Sequence, residues 1–192
     1  MEPFAVDTIK AKFKELVDGK IKRAGIIGLM QWLDSTDFYT APASTRYHGS
    51  FECGLVMHSL NVFVQLKKLC ELYEYAASEE SMAIVALFHD LCKVGCYKVE
   101  MRWRKDENNK WEQYPTYTFK EDFAYGGHGS KSVFLLQSFI QLLPEEASAI
   151  NSHMGVENGN FAVNEVYKRN KLAWLLHVAD EAAAFIVENK ED

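Results

Sequence analysis

The sequence predicts an all-α fold, a helical bundle interrupted by one β-hairpin at about 97–119. Apolar residues recur at helical spacing along most of the chain. Residues 97–104 instead alternate strictly between apolar and polar, which is typical of a strand. Four prolines and eleven glycines are spread without forming a linker, so the 192 residues are expected to form one domain.

The first half of the chain contains three predicted helices and one long loop. Apolar spacing predicts helices over 4–18 and 21–33. The composition of "DSTDFYTAPASTRYHGS" (34–50) predicts a loop, and loops of this length in compact domains often carry function. A longer helix is predicted over 55–74, and its apolar face also carries His58.

The middle of the chain is predicted to pass from a buried helix into the hairpin. A helix over about 80–92 ends in "LFHDLCK", and the strand that follows returns over 111–119. Pro115 predicts that the returning strand is an edge strand. The hairpin aromatics are interpreted as packing on the domain or on a second subunit, and stacking on a nucleobase stays open as the alternative.

Helical spacing resumes after the glycines of "YGGHGS". Ser130 is predicted to cap a helix over 131–142. Pro144 is predicted to lie in the first turn of a helix that reaches about His153. A last helix is predicted over 171–188.

Charge, hydropathy and cysteine usage narrow the function classes. A net charge of −6 argues against a general nucleic-acid coat protein, although a local metal can still hold a small phosphorylated substrate. No apolar run of about 18 residues predicts a membrane span, and the N-terminal residues lack the core of a signal peptide. The four cysteines form no CxxC pair, so reduced thiols and a cytoplasmic location are expected.

Four polar residues do not fit an ordinary helical core. Each one alone is more often a hydrogen-bonded core residue than a metal ligand, but together they occupy three predicted helices. Imidazole and carboxylate groups suit Mn, Fe, Co, Ni, Zn or Mg, and their burial without a partner is costly. The candidate ligands are His58, His89, Asp90 and Asp180.

Two further histidines stand near turns or helix ends. His128 follows two glycines in "YGGHGSKS", and His153 precedes a glycine in "INSHMG". Taken alone, each is interpreted as a cap or a surface residue.

The order and surroundings of these residues resemble a known superfamily. "CGLVMHSLNV" is similar to "GGLLEHSL" and "ALFHDLCK" is similar to "LLHDIGK", two motifs of the HD-domain metal-dependent phosphohydrolases. The resemblance covers about 38–185. It is strongest with bacterial and phage HD hydrolases without an assigned activity and with the HD domain of bacterial 3′–5′ exoribonucleases, through "APASTRYHGSFECGLVMHS". That branch adds two histidines, and His128 and His153 stand in the corresponding places.

The resemblance implies a single HD-type domain over 1–192 and a metal centre with one or two divalent ions of open identity. The first ion would be held by His58, His89, Asp90 and Asp180. Asp90 would bridge to a second ion held by His128 and His153. Asp90 and Lys93 are the expected catalytic residues, and the residues expected to bind substrate are Arg46, His48 and Lys93. For Lys93, an exposed cation at a helix end is the alternative, and His177 is either a partner of a ligand or a packed core residue.

The expected function is hydrolysis of a phosphate ester, with a nucleotide as the expected substrate class, through a metal-activated water. Two alternatives stay open: a 3′–5′ exonuclease or phosphodiesterase on single-stranded nucleic acid, and a nucleotide-sensing module without turnover. The expected partner is a small phosphorylated molecule. A membrane is not expected, nucleic acid is less favoured, and a homo-oligomer is left open.

Overall fold

The computed structural model describes residues 6–120, 126–156 and 161–188. These ranges are mostly helical and contain one two-stranded antiparallel sheet, so the prediction of a helical domain with an inserted hairpin is confirmed. Within them, no helix is long and apolar enough to cross a membrane. The helices are α1 (Val6–Lys20), α2 (Ile26–Asp34), α3 (Gly54–Leu72), α4 (Glu79–Phe88), α5 (His128–Gln137), α6 (Pro144–Ser152), α7 (Val163–Arg169) and α8 (Lys171–Ala182).

The core is built around α3, which packs against α4 and α8, while α8 also packs against α6. Helix α4 starts at a side-chain cap, because the Ser78 hydroxyl accepts a hydrogen bond from the backbone N–H of Ser81. Every residue from Ser81 to Phe88 is buried. Each large apolar side chain buried in this way contributes about 1.5–3 kcal/mol relative to an exposed one. The end of α4 is therefore fixed deep inside the bundle.

The predicted loop before α3 is confirmed, since no helix or strand lies between Asp34 and Gly54. The loop folds back on the start of α3: the Ala43 N–H donates to the Gly49 carbonyl at 2.9 Å, and the Leu55 N–H donates to the Ala41 carbonyl at 3.0 Å. A Cβ atom on Gly54 would lie 1.9 Å from the Gly49 carbonyl oxygen, so only glycine permits this approach.

The predicted hairpin is also confirmed, with β1 (Tyr97–Lys105) paired to β2 (Trp111–Phe119). Its turn is closed by Asp106, whose Oδ1 accepts from the backbone N–H groups of Asn108 and Lys110 at 2.9 and 2.8 Å. The sheet has two strands, so the prediction that Pro115 lies on an edge strand holds.

The outer half of the hairpin does not pack on the domain, which corrects one half of the sequence interpretation. Trp103 and Trp111 are 61% and 64% exposed, although the hairpin root is held by Tyr97, whose hydroxyl donates to the Ala43 carbonyl at 3.3 Å. Beyond Tyr97 every residue of β1 is exposed, so the strand extends away from the bundle.

Several predicted helix boundaries were wrong. Helix α4 ends at Phe88, and Leu91–Lys93 form a separate 3₁₀ turn. Helix α5 begins at His128, so Ser130 is not its cap; the Ser130 hydroxyl instead donates to Asn151 Oδ1 on α6 at 2.9 Å.

The ends of α5 and α8 also differ from the prediction, and α7 was not predicted. Helix α5 ends at Gln137 instead of 142, and α8 gives way after Ala182 to a π-helical segment, Ala183–Val187. Helix α7 has seven residues and buries only the Val163 side chain. Its apolar stripe is therefore too short to be recognised from the spacing of apolar residues.

Candidate metal centre

The ends of helices bring the predicted ligands together. His58 lies in the second turn of α3, and Asp180 lies near the end of α8. His89 and His153 are the C-cap residues of α4 and α6, and Asp90 follows directly. All three imidazoles are fully buried, and the Asp90 and Asp180 side chains are 3% and 14% exposed.

Two histidines and two carboxylates bring their ring nitrogens and carboxylate oxygens close together. Asp180 Oδ1 lies 2.9 Å from His58 Nε2 and 3.7 Å from His89 Nε2. Asp90 Oδ2 lies 3.4 Å from His89 Nε2 and 3.7 Å from His58 Nε2. Metal bonds of about 2.1 Å put neighbouring nitrogen and oxygen ligands about 3.0–3.4 Å apart. The spacing of the four atoms is therefore close to that of a coordination shell.

The hydrogen bonds of the histidines aim nitrogen lone pairs at these carboxylates. His89 Nδ1 lies 2.9 Å from the Ala86 carbonyl oxygen, and His153 Nδ1 lies 2.7 Å from that of Ile150. A carbonyl only accepts, so Nδ1 carries the proton and Nε2 of the neutral ring keeps its lone pair. In the tautomer that these bonds impose, the buried Nε2 atoms of His89 and His153 carry lone pairs that face carboxylate oxygens at 3.4–3.7 Å. His58 Nε2 is buried 2.9 Å from Asp180 Oδ1. Facing lone pairs are costly to bury, and divalent cations between the nitrogens and the carboxylates would satisfy them.

Glu188 supports His58 from the side opposite the candidate metal. Its two carboxylate oxygens lie 3.0 and 3.2 Å from His58 Nδ1, and Asn61 Nδ2 donates to the nearer one at 2.9 Å. Sequence analysis missed Glu188. No sequence signal pointed to it, because a glutamate beyond the end of a helix is an ordinary surface residue.

Without a metal, the positive charge beside the carboxylates comes from protonated side chains. Burial alone would lower the pKa of His89, but Asp90 and Asp180 outweigh it and raise the pKa to about 10. Burial likewise opposes the ionised form of Asp90, yet Lys93 and His89 hold its pKa well below the ordinary value. Both shifts show that this cluster of carboxylates favours a neighbouring positive charge.

Lys93 is buried, which rules out the exposed alternative for this residue. Its Nζ lies 2.6 Å from Asp90 Oδ2. Burial alone would lower the pKa of Lys93, but Asp90 raises it above its ordinary value, so the side chain is an ammonium ion at neutral pH. A fixed positive charge therefore stands beside the candidate ligands.

The loop before α3 brings His48 to the centre. The His48 ring lies against that of His58, with centroids 4.7 Å apart, and its Nε2 is buried without a hydrogen bond. Burial is the main cause that lowers the pKa of His48 to about 4, so this ring is neutral at pH 7. Arg46 is exposed on the same loop, and its contact with substrate stays a prediction.

The two carboxylate oxygens of Asp90 face different groups of candidate ligands. While Oδ2 faces His58, His89 and Lys93, Oδ1 lies 3.6 Å from His153 Nε2. Cys92 Sγ and His128 Nδ1 stand close to the same carboxylate. The structure thus places both additional histidines near Asp90, and its role as a bridge between two ions stays a prediction.

His177 touches the backbone of a candidate ligand. Its Nδ1 donates to the His153 carbonyl at 2.7 Å, and its ring stacks on Tyr167 with centroids 5.6 Å apart. His177 therefore helps to hold the chain at His153, and it is partly buried in that position.

Comparison with family models, with curated proteins and with solved structures gave no match for this chain. The described residues nonetheless include four groups of three whose ligand atoms lie within 4.8 Å of one another and that can hold a metal ion. These side chains could therefore hold a metal ion, and imidazole, carboxylate and thiol groups suit several metals.

Proposed function

We propose that this protein is a metal-dependent phosphohydrolase of the HD type that hydrolyses a phosphate ester, with a nucleotide as the expected substrate class. The observation that carries the proposal is the set of three buried Nε2 atoms, those of His58, His89 and His153, that face the Asp90 and Asp180 carboxylates at 2.9–3.6 Å. Buried nitrogen and carboxylate ligands without a thiolate cage are typical of catalytic metal sites and not of structural zinc sites.

The charges of the centre suit a phosphate when two ions are bound. Three carboxylates, those of Asp90, Asp180 and Glu188, are balanced by Lys93 and one divalent cation. A second divalent cation would leave a net positive charge to hold a phosphate group. Bound divalent ions supply an acidified water and neutralise charge on phosphate oxygens.

Residues of the chain itself would position the substrate. The ammonium of Lys93, fixed by Asp90 at 2.6 Å, can contact a phosphate oxygen at the edge of the centre. Neutral His48, with its buried and unpaired Nε2, can exchange one hydrogen bond with the phosphate or its leaving oxygen. Glu188 holds the His58 ring in place while this happens.

The test combines metal analysis with an activity panel. Protein purified without chelator should contain one or two transition-metal ions per chain. It should hydrolyse at least one member of a panel of nucleoside mono- and triphosphates, cyclic dinucleotides and p-nitrophenyl phosphate, with Mn, Co, Ni or Mg added. Asp180→Ala should lose metal and activity, whereas Glu181→Ala, an exposed neighbour on α8, should keep both.

Two outcomes would reject the proposal. A protein that neither contains nor takes up metal would remove its basis. Saturable nucleotide binding without hydrolysis under any of the metals would instead support the nucleotide-sensing module.

Exposed hairpin aromatics favour a second candidate, a 3′–5′ exonuclease or phosphodiesterase on single-stranded nucleic acid. Trp103 and Trp111 are exposed beside basic side chains of β1, and exposed aromatic rings can stack on successive bases. Shortening of a 5′-labelled oligonucleotide from its 3′ end would support it. Replacing both tryptophans with alanine should then weaken oligonucleotide binding, whereas Phe134→Ala, an exposed aromatic on α5, should not.

A further inference from the structure

Cys92 occupies a position beside the candidate metal centre that sequence analysis did not assign. It lies in the 3₁₀ turn after Asp90 and is fully buried. Its backbone N–H donates to the Ser132 hydroxyl at 3.0 Å, which ties the turn to α5. The turn therefore holds the thiol in a fixed position, on the side of Asp90 where α5 begins.

The thiol stands at ligand distance from two other candidate ligands. Cys92 Sγ lies 3.6 Å from His128 Nδ1 and 3.9 Å from Asp90 Oδ1. Metal bonds of about 2.3 Å to sulfur and about 2.1 Å to nitrogen or oxygen, at a tetrahedral angle, put those atoms about 3.6 Å apart. Both distances are therefore near the spacing that a shared cation would impose, and the ligand atoms of all three residues lie within 4.8 Å of one another.

An independent observation also points to a cation at this side of Asp90. His153 Nε2 is buried, makes no hydrogen bond and lies 3.6 Å from Asp90 Oδ1. Its Nδ1 is engaged by the Ile150 carbonyl, so the lone pair of Nε2 is directed toward the carboxylate. Two groups with lone pairs repel each other unless a proton or a cation lies between them.

We propose that Cys92 is a ligand of the second metal ion, which it binds as a thiolate together with Asp90 and His128. The proposal rests on the metal centre of the proposed function and deepens it by assigning a sulfur ligand to one of its two ions. On binding, the thiol loses its proton to solvent and sulfur donates an electron pair to the cation, without a change of oxidation state. A thiolate favours Zn, Co or Fe over Mg at this position.

Cobalt spectroscopy tests the sulfur ligand without reference to hydrolysis. The full chain, freed of metal and kept reduced, is titrated with Co²⁺ and followed by absorption. We expect a sulfur-to-cobalt charge-transfer band in the near ultraviolet that saturates with one of two bound ions. Cys92→Ser should abolish the band and weaken binding of that ion about 100-fold, while the other ion stays bound.

Cys96→Ser is the matched control. Cys96 is buried four residues further along the chain, and its thiol donates to the Cys92 carbonyl at 3.0 Å. Cys96 does not belong to the group of Asp90, Cys92 and His128 that could hold a metal ion, so its replacement should leave the charge-transfer band in place. A second measurement needs no variant: X-ray absorption of the zinc-loaded protein should show one sulfur neighbour at about 2.3 Å.

Two results would overturn the inference: cobalt binding to the wild-type chain without the band, or a band that survives Cys92→Ser. Failure of the proposed function has a different signature. A charge-transfer band without hydrolysis of any phosphate ester would reject the hydrolase and keep Cys92 as a metal ligand. Hydrolysis by a protein whose metal ions have only nitrogen and oxygen neighbours would keep the hydrolase and reject Cys92 as a ligand. A chain that binds no cobalt would reject both.

Discussion

Replacing Glu188 with alanine should weaken metal binding by removing the group that orients His58. The Glu188 carboxylate contacts His58 Nδ1 at 3.0 and 3.2 Å and fixes which ring nitrogen carries the proton. Partners of this kind contribute about 10- to 100-fold to metal affinity, which corresponds to about 1.4–2.8 kcal/mol. Glu188→Ala is expected at the upper end of that range, because it removes both the acceptor and its negative charge.

Glu188→Gln separates these two contributions. Its amide oxygen can still accept the Nδ1 proton, so the ring stays oriented, but the charge that strengthens the imidazole as a ligand is lost. We expect a loss of affinity of about tenfold for this variant. Glu181→Ala removes a negative charge from the same helix at an exposed position, and it should leave the affinity unchanged.

The assay is competition for Co²⁺ or Mn²⁺ between the protein and a chelator of known affinity, with thermal unfolding as a check of the fold. Without metal, Glu188→Ala should also lower the unfolding free energy by about 1–3 kcal/mol, since a buried His58 N–H loses its acceptor. Wild-type affinity in Glu188→Ala would show that His58 is not a ligand or is oriented by another group.

Three further predictions concern the protein without substrate. Burial alone would lower the pKa of His89, but the ligand carboxylates raise it from 6.5 to about 10. Its charged form therefore stabilises the metal-free fold fully below pH 6.5. Calorimetry should show Tm falling as this contribution is lost toward pH 10. A Tm that does not change over this range would contradict the raised pKa of His89. Glu146→Ala removes the buried partner of Arg23, which keeps its pair with Glu80, and should cost about 1–3 kcal/mol in urea unfolding, whereas exposed Glu145→Ala should change stability by less than about 0.5 kcal/mol. Gly54→Ala should destabilise by about 3 kcal/mol or more through its clash at 1.9 Å, while Gly19→Ala, with no atom within 4 Å, should stabilise α1 by about 0.5–1 kcal/mol.

Apolar patterning was sufficient to predict the longer elements. Helices α3, α4 and α8 were predicted because each carries several turns of buried side chains. The hairpin was predicted because apolar and polar residues alternate along β1, although that strand is almost entirely exposed. The ends of α4 and α5 were wrong because tertiary contacts decide them. Serine is a common N-cap residue, yet the Ser130 hydroxyl donates a hydrogen bond to Asn151 on α6.

The candidate site was only partly visible in the sequence. His58, His89 and Asp90 stood out because they interrupt apolar surfaces. Cys92 and Glu188 did not, since a buried cysteine is an ordinary core residue and a glutamate near a helix end is an ordinary surface residue. Only the folded chain shows that both lie within 4 Å of a histidine.

The contact between His58 and Glu188 joins residues 130 positions apart. A chain emerging from the ribosome would have to complete α8 and the π-helical segment before this contact could form, so no earlier folding intermediate could hold its metal with native affinity. Added metal should therefore leave the early folding rate unchanged and slow the unfolding rate, because it binds only after the last helix has docked. In the cell, metal would then stabilise only chains in which the α8 end of the bundle has folded.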